Sequence, residues 1–155
     1  MSLQIFIPCD PPKATAQQQK TTVFAGKVRK YDPKNVRDAK EFLASVLASK
    51  APATPFTGPL RFVLLYRYPW RKAEKKSVMQ KHSSYPCDKR PDFDNIAKGL
   101  NDILQRLRYF EDDSQIADGR VIKEWGDQPG IGITIEPIDT ENYEPACEGQ
   151  QALFS

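Results

Sequence analysis

Apolar and polar positions follow recognisable periods along most of this chain, and the periods mark its elements. Leu3-Gln4-Ile5-Phe6-Ile7 alternates as a half-buried strand does, and Pro8 and the Pro11-Pro12 pair end it. Residues 13–20 are polar and predict a loop; Thr21–Ala25 predicts a second short strand. Asp32-Pro33 introduces a helix from about Lys34 to Ser49, with Val36, Ala39, Phe42, Leu43, Val46 and Leu47 at helical spacing. Residues 60–68 give the clearest strand, with Leu60, Phe62, Leu64, Tyr66 and Tyr68 on one face. Residues 70–91 predict a long polar loop, of a length that compact domains keep for function or motion. A second helix is expected from about Asn95 to Arg108, burying Ile96, Leu100, Ile103, Leu104 and Leu107. Two strands follow, near 115–125 and 131–136, joined by a turn over 127–130. No segment repeats another.

Size and composition narrow the class. The 155 residues suit one domain with a core of its own. No apolar run approaches the roughly 18 residues of a membrane span, and the N-terminus lacks the basic and apolar regions of a secretory signal. Cys9, Cys87 and Cys147 are few, odd in number and widely spaced, which fits neither a disulfide framework nor a zinc site and suits a reducing cytoplasm. The net charge of +3 hides an asymmetry: residues 1–90 hold 18 Lys/Arg against 6 Asp/Glu, and residues 91–155 hold 5 against 14. A basic half beside an acidic half suggests a surface for a polyanion and a site for a metal.

The candidate chemistry lies in the acidic half. Asp92 and Asp94 flank the start of the second helix, Lys98 falls one turn after Asp94, and Asp112-Asp113 precede a strand. A helix and its return loop are expected to bring the two acidic pairs together. Massed carboxylates repel one another, and a hard divalent cation such as Mg²⁺ or Mn²⁺ relieves that repulsion. A plainer account competes: Asp94 caps the helix, Asp92 is solvated, and Asp112-Asp113 fill a turn. With a phosphodiester as substrate, the metal would polarise a phosphoryl oxygen, and Lys98 would orient water or neutralise charge. Candidate phosphate contacts are Lys27, Arg29, Lys30, Arg71, Lys72, Lys75, Lys76, Lys89 and Arg90.

R-P-D-F-D-N-I-A-K (90–98), Y-F-E-D-D-S-Q-I (109–116) and the G-I-G-I-T-I strand together resemble the RusA family of Holliday-junction resolvases. The resemblance covers roughly residues 1–137 and leaves 138–155 as an acidic, flexible tail. It implies an α+β fold, with a small mixed sheet packed against two main helices, assembled as a homodimer. It also implies Mg²⁺-dependent paired nicking of four-way DNA in recombination and repair, in the cytoplasm of a bacterial cell or phage-infected host. Carried over by position, Asp92, Asp94 and Asp113 match the metal-binding aspartates and Lys98 the catalytic lysine. Asp112 matches a neighbouring acid. The last residues, with Gln150, Leu153 and Phe154, are similar to the peptide by which bacterial proteins dock on the DNA-polymerase sliding clamp. A non-catalytic junction- or DNA-binding protein linked to that clamp is the alternative, and a phosphohydrolase of small molecules is disfavoured by the extended basic half.

Overall fold

The computed structural model describes residues 1–13, 20–31 and 34–143. The elements run β1 (Leu3–Pro8), β2 (Lys20–Phe24), β3 (Lys27–Tyr31), α1 (Lys34–Ala48), β4 (Leu60–Pro69), α2 (Lys76–Lys81), β5 (Ser84–Pro86), α3 (Phe93–Arg106), a 3₁₀ turn (Asp113–Gln115), β6 (Ile116–Gly126) and β7 (Gly130–Pro137). Five strands form one mixed sheet in the order β1-β7-β4-β6-β5, and β2 and β3 form a separate hairpin. β4 and β6 run parallel, joined by a crossover that includes α3, and the other pairs are antiparallel. The α+β class and the mixed sheet are as the sequence implies.

The core follows from the alternation in β4. Leu60, Phe62, Leu64, Tyr66 and Tyr68 are buried, and the intervening residues reach the other face half-exposed. The buried row meets Ile5 and Ile7 of β1, Ile131, Ile133 and Ile135 of β7, Leu43 and Leu47 of α1, and Ile96, Leu100, Ile103 and Leu104 of α3 in one cluster. Each fully buried Leu or Ile contributes about 1.5–3 kcal/mol, so this single face supplies most of the apolar stabilisation. The Tyr109 hydroxyl, also in the core, donates to the Leu47 carbonyl at 2.7 Å and ties the end of the α3 segment to the end of α1.

Several expectations are corrected. The second helix begins at Phe93 and ends at Arg106, and β2 begins at Lys20. β3 was not expected; the Ala25-Gly26 turn, with φ of 50° and 72°, has the left-handed pair that a tight hairpin needs. The expected loop over 70–91 contains α2 and β5, and β5 is held by pairing with β6 rather than by apolar pattern. Of the acidic tail, residues 138–143 are described: the Ile138 amide donates to the Pro59 carbonyl, and Asp139 accepts from the Glu141 and Asn142 amides.

Candidate active site at the two ends of α3

β6 guides the chain to the start of α3. β5 pairs with its end, the Cys87 amide donates to the Lys123 carbonyl at 2.9 Å, and the Lys123 ammonium donates to the Lys89 carbonyl at 2.6 Å. Three residues later Asp92 takes the position before the first helical residue, with β-region angles of φ −71° and ψ 146°. Its side chain makes no capping bond, and Asp94 sits one residue into the first turn. Capping therefore consumes neither carboxylate, and the plainer account of Asp94 as a cap fails on position. Asp92, Phe93, Asp94 and Lys98 are all exposed. Among the described residues, no side-chain hydrogen bond or ion pair engages either aspartate or Lys98.

Asp112 and Asp113 behave differently from each other. The Asp112 carboxylate accepts from the Ser114 amide at 2.8 Å, and the Gln115 side-chain oxygen accepts from the Asp112 amide at 3.1 Å. This reciprocal capping box fixes the 3₁₀ turn. Hydrogen bonding from Ser114 holds the Asp112 carboxyl below the ordinary aspartate range. Asp113, the first residue of the turn, is exposed and is not used as the cap. The Gln115 amide nitrogen bonds the Phe56 and Gly58 carbonyls at 3.1 Å each, which anchors the turn beside the start of β4.

That anchor sets the two acidic pairs apart. Asp92 and Asp94 lie near Lys123, far along β6, whereas Asp113 stands before its first residue, Ile116, which pairs with Leu60. The 14 residues of α3 separate them, about 20 Å of axial rise. The expectation that the return loop brings the pairs together within one chain is wrong. Tyr109 and Phe110, both fully buried, pin that loop at the far end: the Phe56 amide donates to the Tyr109 carbonyl, and Phe110 bridges to Phe56. Among the described residues no three acids, histidines or cysteines stand close enough to hold a metal.

The donor set still suits a hard cation. Asp92 and Asp94 offer oxygen ligands at the start of α3, and Asp113 offers another at the start of the 3₁₀ turn. Phe93, 65% exposed between the two aspartates, is a surface feature that the sequence reading passed over. Its signal is an aromatic outside the apolar stripe of α3.

The basic candidates divide. Lys72, Lys75, Lys76, Lys89 and Arg90 are exposed on the segment leading to Asp92, as is Lys27 beside the hairpin turn. Arg71 is already engaged: its guanidinium bonds Glu74 at 2.8 Å and lies 4.6 Å from the centre of the Trp125 ring. Glu74 is held below the ordinary glutamate range, chiefly by that bond. Arg29 and Lys30 lie on β3, with side chains outside what the structure describes. Gln150, Leu153 and Phe154 lie outside the described residues.

Comparison with known proteins places the chain in a family. The family model described as endodeoxyribonuclease RusA matches residues 10–136. The chain is 35% identical to the uncharacterized protein YqaN of Bacillus subtilis over 119 residues, covering 73% of this chain and 82% of that protein. It is 29% identical over 116 residues to a protein of Lactococcus phage r1t named crossover junction endodeoxyribonuclease rusA, covering 75% and 83%. With most of its length matched by the family model, the chain belongs to the RusA family of endodeoxyribonucleases.

Proposed function

We propose that this endodeoxyribonuclease is a Holliday-junction resolvase that acts as a homodimer, with each metal site built from two chains. The observation that carries this reading is the separation of Asp92 and Asp94 from Asp113 by the whole of α3. One chain then offers two half-sites and completes neither. A two-fold pair supplies the Asp92–Asp94 half of one subunit and the partner subunit's Asp113, twice over. Two equivalent sites are what paired, symmetric nicks across a four-way junction require. The name of the phage relative supports such a junction as the substrate.

Asp92, Asp94 and the partner subunit's Asp113 would hold Mg²⁺, or Mn²⁺ in its place. When bound, such an ion supplies Lewis-acid polarisation of a phosphoryl oxygen. The chain supplies the rest. The free amides at the start of α3 favour an anion, so the scissile phosphate is drawn to the helix end that carries the two aspartates. Lys98, one turn further along the exposed side, places an ammonium where negative charge gathers as the phosphodiester opens. Lys72, Lys75, Lys76, Lys89 and Arg90, with Lys27, Arg29 and Lys30 on the hairpin, are assigned to the flanking phosphates. Arg71 is assigned there as well, held in its stacked position on Trp125.

The test is cleavage of an end-labelled four-way junction in Mg²⁺ by the wild type beside Asp94→Asn. Paired nicks by the wild type, and binding without nicks by the variant, are the expected results. Equal cleavage by both would remove Asp94 from the mechanism. Absence of cleavage by the wild type in both Mg²⁺ and Mn²⁺ would favour a non-catalytic junction-binding protein.

We also propose that the terminal Gln150, Leu153 and Phe154 dock on the replication sliding clamp, which would bring the nuclease to replicating DNA in the cytoplasm. The support is the pattern of the peptide alone. Clamp capture by the full chain, lost on deletion of residues 150–155, is expected. Capture that survives the deletion would sink the assignment.

A further inference from the structure

Phe93 is the most exposed aromatic among the described side chains, at 65%. It is the first residue of α3, between Asp92 and Asp94, whereas the buried stripe of that helix starts one turn later at Ile96. Its exposed neighbours are charged: Arg90, Asp92 and Asp94 all face solvent, and Pro91 is buried. A lone exposed phenylalanine is ordinary on a protein surface. A phenylalanine between two unengaged carboxylates, at a helix start where a phosphodiester is to be cut, is not explained by packing.

The segment that presents the ring is braced. The Cys87 amide bonds the Lys123 carbonyl, and the Lys123 ammonium holds the Lys89 carbonyl at 2.6 Å. The same segment carries a second exposed ring, Tyr85, 40% exposed and tilted against His82 at 5.6 Å between ring centres. Lys89 and Arg90 stand exposed between the two rings in sequence. Aromatic rings interleaved with Lys and Arg are the make-up of surfaces that hold unpaired bases.

Two kinds of partner are open to the ring. The core of a protein interface is depleted of charge, and covering Phe93 with protein would desolvate Asp92 and Asp94 along with it. A nucleobase is the better match. It is flat, it offers a π face to the ring, and its own backbone phosphate then falls beside the flanking aspartates.

We propose that Phe93 stacks on a nucleobase opened at the branch point, and so sets the adjoining phosphodiester against Asp92 and Asp94. The inference rests on the junction reading above and deepens it, by naming a residue that selects branched over continuous DNA. In a continuous duplex each base is stacked on both faces, so the ring must first break a stack. At a branch the stack is already interrupted, and the ring takes the vacant face.

The experiment is a cycle between protein and DNA. Wild type and Phe93→Ala are compared on a four-way junction and on the same junction with a single abasic site placed, in turn, at each nucleotide of the cleaved strand around the crossover. The rate of nicking in Mg²⁺ is read beside the binding affinity. Phe93→Ala should slow nicking about five- to a hundredfold, the effect of losing one base stacked on an aromatic ring. One abasic position should slow the wild type to a similar extent and add nothing to the loss in Phe93→Ala. Phe93→Trp should keep this coupling and Phe93→Leu should lose it, with the melting temperature unchanged in all three variants. Nicking by Phe93→Ala at the wild-type rate overturns the inference. So do losses that multiply at every abasic position, which is what a purely structural ring would give. A wild type that binds the junction without nicking counts against the nuclease reading alone. The cycle is then read in affinity, where coupling to one base upholds the stacking and its absence overturns it. Failure to bind the junction at all overturns both.

Discussion

Asp94 and Asp113 stand at opposite ends of α3, with most of a 14-residue helix between them, so one chain cannot bring both to one phosphate. This has a consequence that no single-chain site shares. Asp94→Asn and Asp113→Asn should each abolish junction cleavage. Mixed and allowed to exchange subunits, they should regain it in part. In a mixed dimer one site carries both substitutions and the other carries neither. The restored activity should therefore appear as single nicks on a supercoiled cruciform plasmid, giving nicked circles rather than linear product. A mixture as inactive as its components would place all the ligands of a site in one chain.

Asp112 and Asp113 are neighbours with different duties. Asp113→Asn is expected to lower the cleavage rate by about a hundredfold or more, since a metal ligand supplies several kcal/mol to the transition state, and to leave the melting temperature unchanged. Asp112→Ala should do the reverse: it removes the cap on Ser114 and lowers the melting temperature, while cleavage falls less than about tenfold. The pH dependence follows from the same cap. The folded carboxyl of Asp112 is depressed below its unfolded value, so its contribution is present above the unfolded pKa of about 4 and is lost as pH falls through the folded value. Melting curves of the wild type and Asp112→Ala should therefore approach each other as pH falls below about 4. Curves that keep their separation there would show that the cap is not the source of the difference.

How much of this was open to the sequence depends on what holds each part. The alternation of β4 and the apolar stripe of α3 are burial patterns, and both were legible. α2 buries no residue, and β5 is three residues held by backbone bonds to β6, so neither leaves an apolar period to read. The acids and Lys98 were legible as residue types at a family spacing. Their distance in space was not. It depends on Tyr109 and Phe110 anchoring the return loop beside Leu47 and Phe56, contacts to residues more than 50 positions away that no local pattern encodes.

Gly130 opens β7 opposite Pro8, and there is no room beside it. A Cβ at this position would fall 2.4 Å from the Phe6 ring and 2.7 Å from the Ile7 carbonyl oxygen. The ring can turn aside, but the carbonyl belongs to the β1 backbone. Gly130→Ala should therefore cost about 1–3 kcal/mol, the usual range for overpacking, read as a shift in the urea midpoint. Gly99→Ala is the control. A Cβ there meets nothing within 4 Å, and replacing a mid-helix glycine gains up to about 1 kcal/mol. Equal effects of the two substitutions would refute the steric account.

Three tyrosines make the fold sensitive to alkali. Burial raises Tyr66, Tyr68 and Tyr109 above the ordinary phenol value, Tyr109 to about 12. A folded pKa above the unfolded one gives stability that is fully present below about pH 10 and lost as pH rises through the folded value. The melting temperature should thus hold steady to about pH 9.5 and fall steeply between about 10 and 12. Tyr109→Phe should flatten part of that fall. At neutral pH it should cost about 0.5–1.5 kcal/mol for the lost bond to Leu47. An unchanged slope in alkali would show that Tyr109 ionises in the folded protein as freely as in the unfolded.

The basic segment before Asp92 makes a quantitative claim about salt. Each Lys or Arg that neutralises a DNA phosphate releases about 0.9 of a counterion, so the slope of log K against log salt counts those contacts. Lys75→Ala, Lys76→Ala and Lys89→Ala should each weaken junction binding about equally for every DNA sequence and lower the slope by about 1. Arg71 should stand apart. Its guanidinium is tied to Glu74 and stacked on Trp125, so Arg71→Ala should lower the melting temperature as well as the affinity. Lys123, whose ammonium is spent on the Lys89 carbonyl, should leave the slope unchanged when replaced by Met. Binding titrations across a range of salt concentrations, with Asp94→Asn as the uncleaving background, separate these outcomes. A slope that ignores the three lysines would place the DNA on another surface.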